Sequence, residues 1–409
     1  MPHYSMQSHI FVMRWLECCV KSTVSIPTAP MSGIRKLPPF SANSGRLRFD
    51  PSRCLPARYP GNECGLCNDV CPVKAIDLVD GIPVLKGECV GCGQCGAACP
   101  NDALAADGFI VSPTIADDVA EIFVDCWRVP FDESPEGSLR VPCTAGLSTG
   151  RLISLFDRAG ERPVHLLDRG ECSGCQVGAG ISTLRATLTE VRMLLFESGV
   201  EINHLPSLTF LPARAPLAPS IPDSAGEVRM GRRSFFRNLA DSVARGAEQI
   251  AVAGQDVDNP IMLREAAQPI DRLRTVTALG NIARRHDRPL PGRILPQLSL
   301  GECSAHGICA KVCPTGALKR EVLHDAAELR FLAAHCIACG QCVRSCPDKA
   351  LRMQPTGGRD ITEILAQWPE RTCSECDEIF FGTGGETCPA CVGNQQLIQG
   401  MAVLFRPSA

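Results

Sequence analysis

The sequence predicts an α+β multidomain protein: two small cysteine-rich modules, a small α/β domain with a parallel sheet between them, and a ribbon-like C-terminal segment. Three observations predict it. First, apart from Cys18 and Cys19, all of the 25 cysteines fall into metal-ligand spacings. Second, the run Cys89-x2-Cys92-x2-Cys95-x3-Cys99-Pro100 recurs as Cys336-x2-Cys339-x2-Cys342-x3-Cys346-Pro347. Third, the stretch between the two runs alternates apolar strands with helix-period segments, and its strands lead into cysteines.

Residues 1–45 read as a tail. The segment "IFVMRWLECCV" carries Arg14 and Glu17, so it is a poor signal-peptide core, and Met31 opens a plausible start. Cys18 and Cys19 therefore receive no role.

Residues 46–112 form the first cysteine module. The Cys89–Cys99 run has the spacing of cubane iron–sulfur sites. There three thiolates of one loop hold one cluster, and the fourth, ahead of a proline, serves a second cluster. Each run therefore requires a partner run. Upstream lies Cys64-x2-Cys67-x3-Cys71-Pro72, with Gly61 where a leading cysteine is expected; Cys54 can replace it through a longer loop. The partner of the second run, in residues 296–360, is Cys303-x2-His306-x2-Cys309-x3-Cys313-Pro314, in which His306 stands at the second ligand position.

"CPVKAI", "CPNDAL", "CPTGAL" and "CPDKAL" follow the last cysteines of the four runs, so the chain holds two modules that are each internally repeated. These stretches resemble bacterial dicluster ferredoxins. The resemblance implies two ferredoxin-like modules and four [4Fe–4S] clusters, one of them [3Fe–4S] or His-ligated. It implies the ligand sets Cys54, Cys64, Cys67 and Cys99; Cys71, Cys89, Cys92 and Cys95; Cys313, Cys336, Cys339 and Cys342; and Cys303, Cys309, Cys346 with His306.

Residues 113–205 read as the parallel-sheet domain. "VAEIFVDC" is a strand ending at Cys126, "SLRVPC" one ending at Cys143, and "RPVHLLD" one leading to Cys172-x2-Cys175. Leu152, Ile153, Leu155 and Phe156 lie on helical spacing ahead of Gly160. Leu184, Leu188, Val191 and Leu195 place a second helix, and "VEINHLP" reads as a last strand. Ligands gather beyond the carboxyl ends of parallel strands, so Cys126, Cys143, Cys172 and Cys175 can meet there. Four thiolates suit a [2Fe–2S] cluster or a structural zinc. "VPCTAGLSTGRLISLFDRAG" and "VHLLDRGECSGCQVGAG" resemble the delta (iron–sulfur) subunit of methyl-viologen-reducing hydrogenase. That family has a longer, histidine-bearing gap where this chain has Cys172-x2-Cys175. "VGAGIS" lacks a full dinucleotide fingerprint and reads as a helix start. His165, within a strand, reads as a core residue.

Residues 206–295 read as a proline-rich linker followed by amphipathic helices. Arg232-Arg233-Ser234-Phe235-Phe236-Arg237 resembles an export motif, but it is internal, and Phe235, Leu239, Val243 and Ile250 form a helix face. "LRTVTALGNIARRHDRP" predicts another helix. Residues 361–409 carry Cys373-x2-Cys376-x11-Cys388-x2-Cys391, a zinc-ribbon spacing that a rubredoxin-type iron would also use.

A net charge of −3 gives no electrostatic case for nucleic acid. No uncharged apolar run approaches the ~18 residues of a membrane span, and ligand-spaced cysteines point to reduced thiolates of the cytoplasm. No Ser-His-Asp set, phosphate loop or flavin fingerprint is visible. The expected function is a polyferredoxin, relaying single electrons between redox protein partners. The alternatives are an iron–sulfur subunit of a disulfide-reducing or hydrogenase-linked oxidoreductase, or an assembly factor for such an enzyme.

Overall fold

The computed structural model describes residues 47–109, 115, 119–175, 177, 180–218, 221, 265–358, 361–382 and 384–404. The chain divides into two compact units. One holds Met1–Arg264 with Thr277–Pro289, and the other Glu265–Val276 with Leu290–Ala409.

In the first unit, strand β1 (Leu47–Phe49) enters the cysteine module. Helices α1 (Leu55–Arg58) and α2 (Leu66–Asp69) follow, then the hairpin β2 (Ile76–Val79)–β3 (Ile82–Leu85), helix α3 (Gln94–Ala98) and β4 (Leu104–Ala106). β4 closes antiparallel on β1. The β2–β3 hairpin turns on Asp80-Gly81, both at positive φ, the pairing that a two-residue turn of matching twist requires.

The parallel-sheet domain comprises β5 (Ile122–Cys126), β6 (Leu139–Val141), α4 (Thr149–Arg158), β7 (Val164–Asp168), α5 (Gly180–Glu197) and β8 (Ser207–Phe210). The strand order is β6-β5-β7-β8, all parallel. α4 starts where Ser148 Oγ accepts the Arg151 N–H at 3.2 Å, and ends at Gly160 in the left-handed region. Its predicted face, Leu152, Ile153, Leu155 and Phe156, is buried, as are Leu184, Leu188, Val191 and Leu195 of α5.

Two expectations need correction here. "VEINHLP" is not a strand: Ile202–His204 form a 3-10 turn, and the last strand is β8. Pro206 restricts Leu205 to extended backbone, and Leu208, Thr209 and Phe210 then favour the sheet. The supposed linker accordingly begins as structure. Past β8, the Arg214 and Ala215 N–H groups donate to the Glu133 carboxylate, Ala218 N–H donates to the Arg128 carbonyl at 2.8 Å, and Ile221 is buried. The helix face expected at Phe235–Ile250 lies outside the described residues.

Helix α6 (Ile270–Arg285) forms at the second predicted linker helix. Its C-terminal part is clasped onto α4 within the first unit. Arg285 pairs with Asp157 at 2.8 Å and Glu161 at 2.9 Å, and His286 Nε2 lies 2.9 Å from Glu161. Burial alone would raise the Glu161 pKa, but the bonds from Arg285 and His286 win and hold its carboxyl below the usual range.

The second unit contains β9 (Gln297–Leu300), α7 (Ile308–Lys311), β10 (Leu318–Val322), β11 (Ala326–Leu332), α8 (Gln341–Arg344), β12 (Leu351–Gln354), β13 (Thr362–Thr372), β14 (Ile379–Phe381) and α9 (Pro389–Leu404). β9 pairs with β12, as β1 does with β4. β10-β11-β13-β14 form a four-stranded antiparallel sheet with a bulge at Leu329/Arg330. Its core packs Leu298, Leu318, Leu329, Phe331, Leu351 and Trp368. Because β13 runs along β11, residues 361–372 continue the sheet of the second cysteine module, and a boundary at 360/361 would cut it. Among the described residues, no helix is long and apolar enough to cross a membrane.

Candidate metal centres

The four Cys-Pro loops share one local design. The third residue after the cysteine takes a left-handed conformation: Lys74, Asp102, Gly316 and Lys349, at φ between 50 and 66°. This tight turn aims the next N–H back at the sulfur. Ala75, Ala103, Ala317 and Ala350 donate to Cys71, Cys99, Cys313 and Cys346 Sγ at 3.3, 3.2, 3.2 and 3.4 Å. Such donors stabilise a thiolate that has left water.

Three of the cysteine loops share a second design. Gly91 and Gly93, Ala305 and Gly307, and Ala338 and Gly340 are left-handed pairs flanking the middle ligand position. The first N–H of each donates to the leading sulfur, in Cys89, Cys303 and Cys336, at 3.4 Å. His306 thus occupies the same turn as Cys92 and Cys339. Those cysteines are buried, whereas His306 is exposed. The Gly61–Cys67 loop departs from the pattern: Gly65 has φ −128°, so the left-handed pair is broken where the leading cysteine is missing.

Within each cysteine module the thiols are electrostatic neighbours, and Cys95 also feels Cys67, and Cys342 also feels Cys309. Burial pushes Cys54 up to about 11 and Cys67 to about 12, and charge on Cys99 adds to both. Burial raises Cys92 to about 11, with Cys71 and Cys89 as charged neighbours, and Cys95 further. In the second unit, burial raises Cys336 to about 11 and Cys339 to about 12, with Cys313 beside both. Cys309, about 11 through burial, lies with Cys303 and Cys346. Buried thiols this close repel as anions, so they need a cationic group to be held deprotonated. Gln94, between Cys92 and Cys95, is 2 % exposed, and its Nε2 has no partner among the described residues. A cluster's sulfurs would supply an acceptor.

Cys126, Cys143, Cys172 and Cys175 lie in one electrostatic neighbourhood. Burial raises Cys126 to about 11, with Cys175 and Cys172 as charged neighbours, and raises Cys143 well above its ordinary range, with Cys126, Cys92 and Cys175 nearby. Sequence reasoning missed Arg128, whose Nη1 donates to Cys175 Sγ at 2.6 Å, and Ile221, which packs with Cys92, Val177, Trp127, Cys143 and Cys175. Neither carries a cysteine-like signature. His165 holds the sheet together: its Nδ1 lies 2.9 Å from Ser207 Oγ, and its ring stacks on Phe123.

Cys373, Cys376, Cys388 and Cys391 bring their sulfurs within 4.8 Å of one another, the one such group among the described residues. The Cys376–Cys388 separation is 3.9 Å, close to the ~3.8 Å edge of a tetrahedron with ~2.3 Å metal–sulfur bonds. The Cys388 N–H at 3.2 Å, aided by the Glu375 and Cys376 N–H groups, draws the buried Cys373 thiol down to about 6. This site fits one ion.

A family model described as the LdpA Fe-S cluster-binding domain matches residues 61–109, and a 4Fe-4S dicluster domain matches residues 302–351. An uncharacterised ferredoxin of Methanocaldococcus jannaschii is 51% identical over 39 residues, 9% of this chain and 26% of that protein. A second uncharacterised ferredoxin of that organism is 49% identical over 39 residues, 9% of this chain and 24% of its own length. The chain therefore spans about a quarter of the length of these relatives. It carries iron–sulfur-binding, ferredoxin-type domains, one of them a 4Fe–4S dicluster domain.

Proposed function

We propose that the chain is an electron-transfer protein, a polyferredoxin relaying single electrons between redox protein partners. The repeated Cys-Pro loop with its N–H to sulfur bond carries this reading, because it recurs at all four positions where a cubane pair needs a cross-ligand. We assign one cluster each to Cys54, Cys64, Cys67 and Cys99; to Cys71, Cys89, Cys92 and Cys95; to Cys313, Cys336, Cys339 and Cys342; and to Cys303, Cys309 and Cys346 with His306. The first and second cysteine modules occupy about 46–112 and 296–360, with the second module's sheet running on through β13.

The domain between them resembles the hydrogenase delta subunit. We assign Cys126, Cys143, Cys172 and Cys175 to a [2Fe–2S] cluster. Their sulfurs do not form the tight single-ion group that the C-terminal four do. The C-terminal site is assigned to zinc, in keeping with its tetrahedral spacing and its coupling to a short sheet. When bound, the clusters supply one-electron redox chemistry. The protein's own residues hold them, shield them from water and donate hydrogen bonds to their sulfur ligands.

The test is an anaerobic iron, sulfide and zinc count on the reconstituted chain, joined to electron paramagnetic resonance of its reduced form. About sixteen irons in cubane clusters and one zinc are expected, with two further irons from the [2Fe–2S] site. Fewer than about eight irons would end the polyferredoxin reading.

A further inference from the structure

Within the first unit, the parallel-sheet domain and the cysteine module meet at one seam, built around Cys92 and Cys143. The Cys92 carbonyl lies so close to Gly146 that a Cβ there would sit 2.1 Å from it. Gly146 is in the turn that Cys143 begins, its N–H donating to the Cys143 carbonyl at 3.0 Å. The Phe109 ring fills the rest of the seam. It would stand 2.2 Å from a Cβ on Gly93 and 2.4 Å from one on Gly146. The Trp127 ring, adjoining Cys126, likewise rests on Gly108. Thr183 Oγ1 of α5 donates to Gln94 Oε1 at 3.2 Å. Three glycines without side chains therefore let the two cysteine sites approach through backbone and aromatic contact.

The second observation is Arg128. Its Nη1 bonds Cys175 Sγ at 2.6 Å, and its Nε bonds the Ala218 carbonyl at 2.5 Å. Ala218 N–H returns to the Arg128 carbonyl at 2.8 Å. The segment after β8 thus clamps a fixed positive charge onto one sulfur of the four-cysteine site. A charge-assisted hydrogen bond to a cluster's sulfur ligand favours the state with the extra electron and raises the potential.

We infer that the four-cysteine site is the electron acceptor of the first module, receiving one electron from the Cys71/Cys89/Cys92/Cys95 centre across the Cys92–Gly146–Cys143 seam, with Arg128 setting its potential above that of its neighbour. The inference rests on the iron–sulfur reading of both sites. In the step, the cubane centre loses one electron and the four-cysteine centre gains it. A one-electron redox protein supplies the cubane, and a second one drains the acceptor; no bond is made or broken. Arg128 is a positioning residue for charge and takes no part in ligation.

The test uses the full-length reconstituted chain in a redox titration followed by electron paramagnetic resonance. In the wild type, the four-cysteine centre is expected to take up its electron first, and its signal to relax faster once the neighbouring cubane is also reduced. Arg128→Met should lower the potential of this one centre and leave the others in place, and Arg128→Lys should restore part of it. Gly146→Ala should weaken the magnetic coupling at unchanged iron content. A relaxation rate indifferent to the cubane's redox state in the wild type, a measurement that needs no variant, overturns the inference. So does a potential that Arg128→Met leaves unmoved. An element count with zinc in the four-cysteine site overturns the iron–sulfur reading of that site itself, and is distinguished by the absence of any signal to titrate.

Discussion

At the residue scale, single side chains decide which sites are standard and which are altered. Cys54 is proposed to replace a ligand that Gly61 cannot supply, and it shares an electrostatic neighbourhood with Cys67 and Cys99. Cys54→Ala should therefore change the paramagnetic signal of one cluster towards a three-iron form and spare its mate. An unchanged spectrum and iron count would remove Cys54 from the ligand set. His306 sits in a turn of the same handedness as those of Cys92 and Cys339, yet it is exposed. As a neutral ligand it would raise the potential of its cluster. Replacing His306 with Cys should lower that potential and leave the other three clusters unmoved. If no potential changes and any three-iron signal persists, His306 is a bystander. Glu161 gives a pH prediction. Its carboxyl is held below the usual range by Arg285 and His286, so its contribution is present above the ordinary carboxylate pKa of about 4.5 and is lost as pH falls through the depressed value. Glu161→Gln should cost on the order of 1 kcal/mol near neutral pH, with the difference from wild type shrinking in acid, as thermal melts across pH would show.

At the element scale, the cysteine spacings made the cluster loops legible because ligation demands fixed backbone geometry. The Gly91/Gly93 and Ala338/Gly340 turns repeat with it. The amphipathic periods of α4 and α5 were equally legible, since one face of each had to be buried. What stayed hidden were contacts with no sequence period. β8 lies in a proline-rich stretch, Ile221 follows in it with no periodic pattern to mark it, and Arg128 is an ordinary arginine until the fold brings it to Cys175. β13 was concealed for a related reason. Most of its residues are exposed, Ile364 among them, and only Trp368 is deeply buried, so it reads as a separate segment although it pairs along β11 from Leu332 to Ala326. The C-terminal cysteines, which could hold a metal ion, adjoin the far end of β13, where Glu370–Thr372 pair with β14. Loss of the ion in Cys388→Ser should then accelerate hydrogen exchange over residues 370–381 and leave residues 362–368 protected. Equal loss along all of β13 would show that the ion, and not Trp368, anchors the strand.

At the scale of the whole molecule, stability is tied to what the cysteines hold. In the cluster-free chain, burial lifts Cys54, Cys92, Cys126 and Cys336 from 9.0 to about 11. The folded state then binds their protons more tightly than the unfolded one. This contribution is complete below pH 9.0 and is lost as pH rises to about 11. The cluster-free chain should therefore melt at progressively lower temperature across that window. The loaded chain should not follow it there, because its thiolates are neutralised by iron. A cluster-free chain whose melting point is flat from pH 9.0 to 11 would count against buried, mutually close thiols.

The shared sheet also has a consequence for biosynthesis. As the polypeptide leaves the ribosome, the cysteines from Cys303 to Cys346 emerge before β13. Until residues 362–372 follow, β11 has an unpaired edge, and the core side of the module lacks Trp368. A nascent chain paused there would display a bare strand edge, the kind of template that recruits other chains into aggregates. Cluster insertion into the second module is thus best completed after translation has passed Thr372. A premature stop just beyond Cys346 would spare every cysteine proposed here as a cluster ligand and still yield a product prone to self-association.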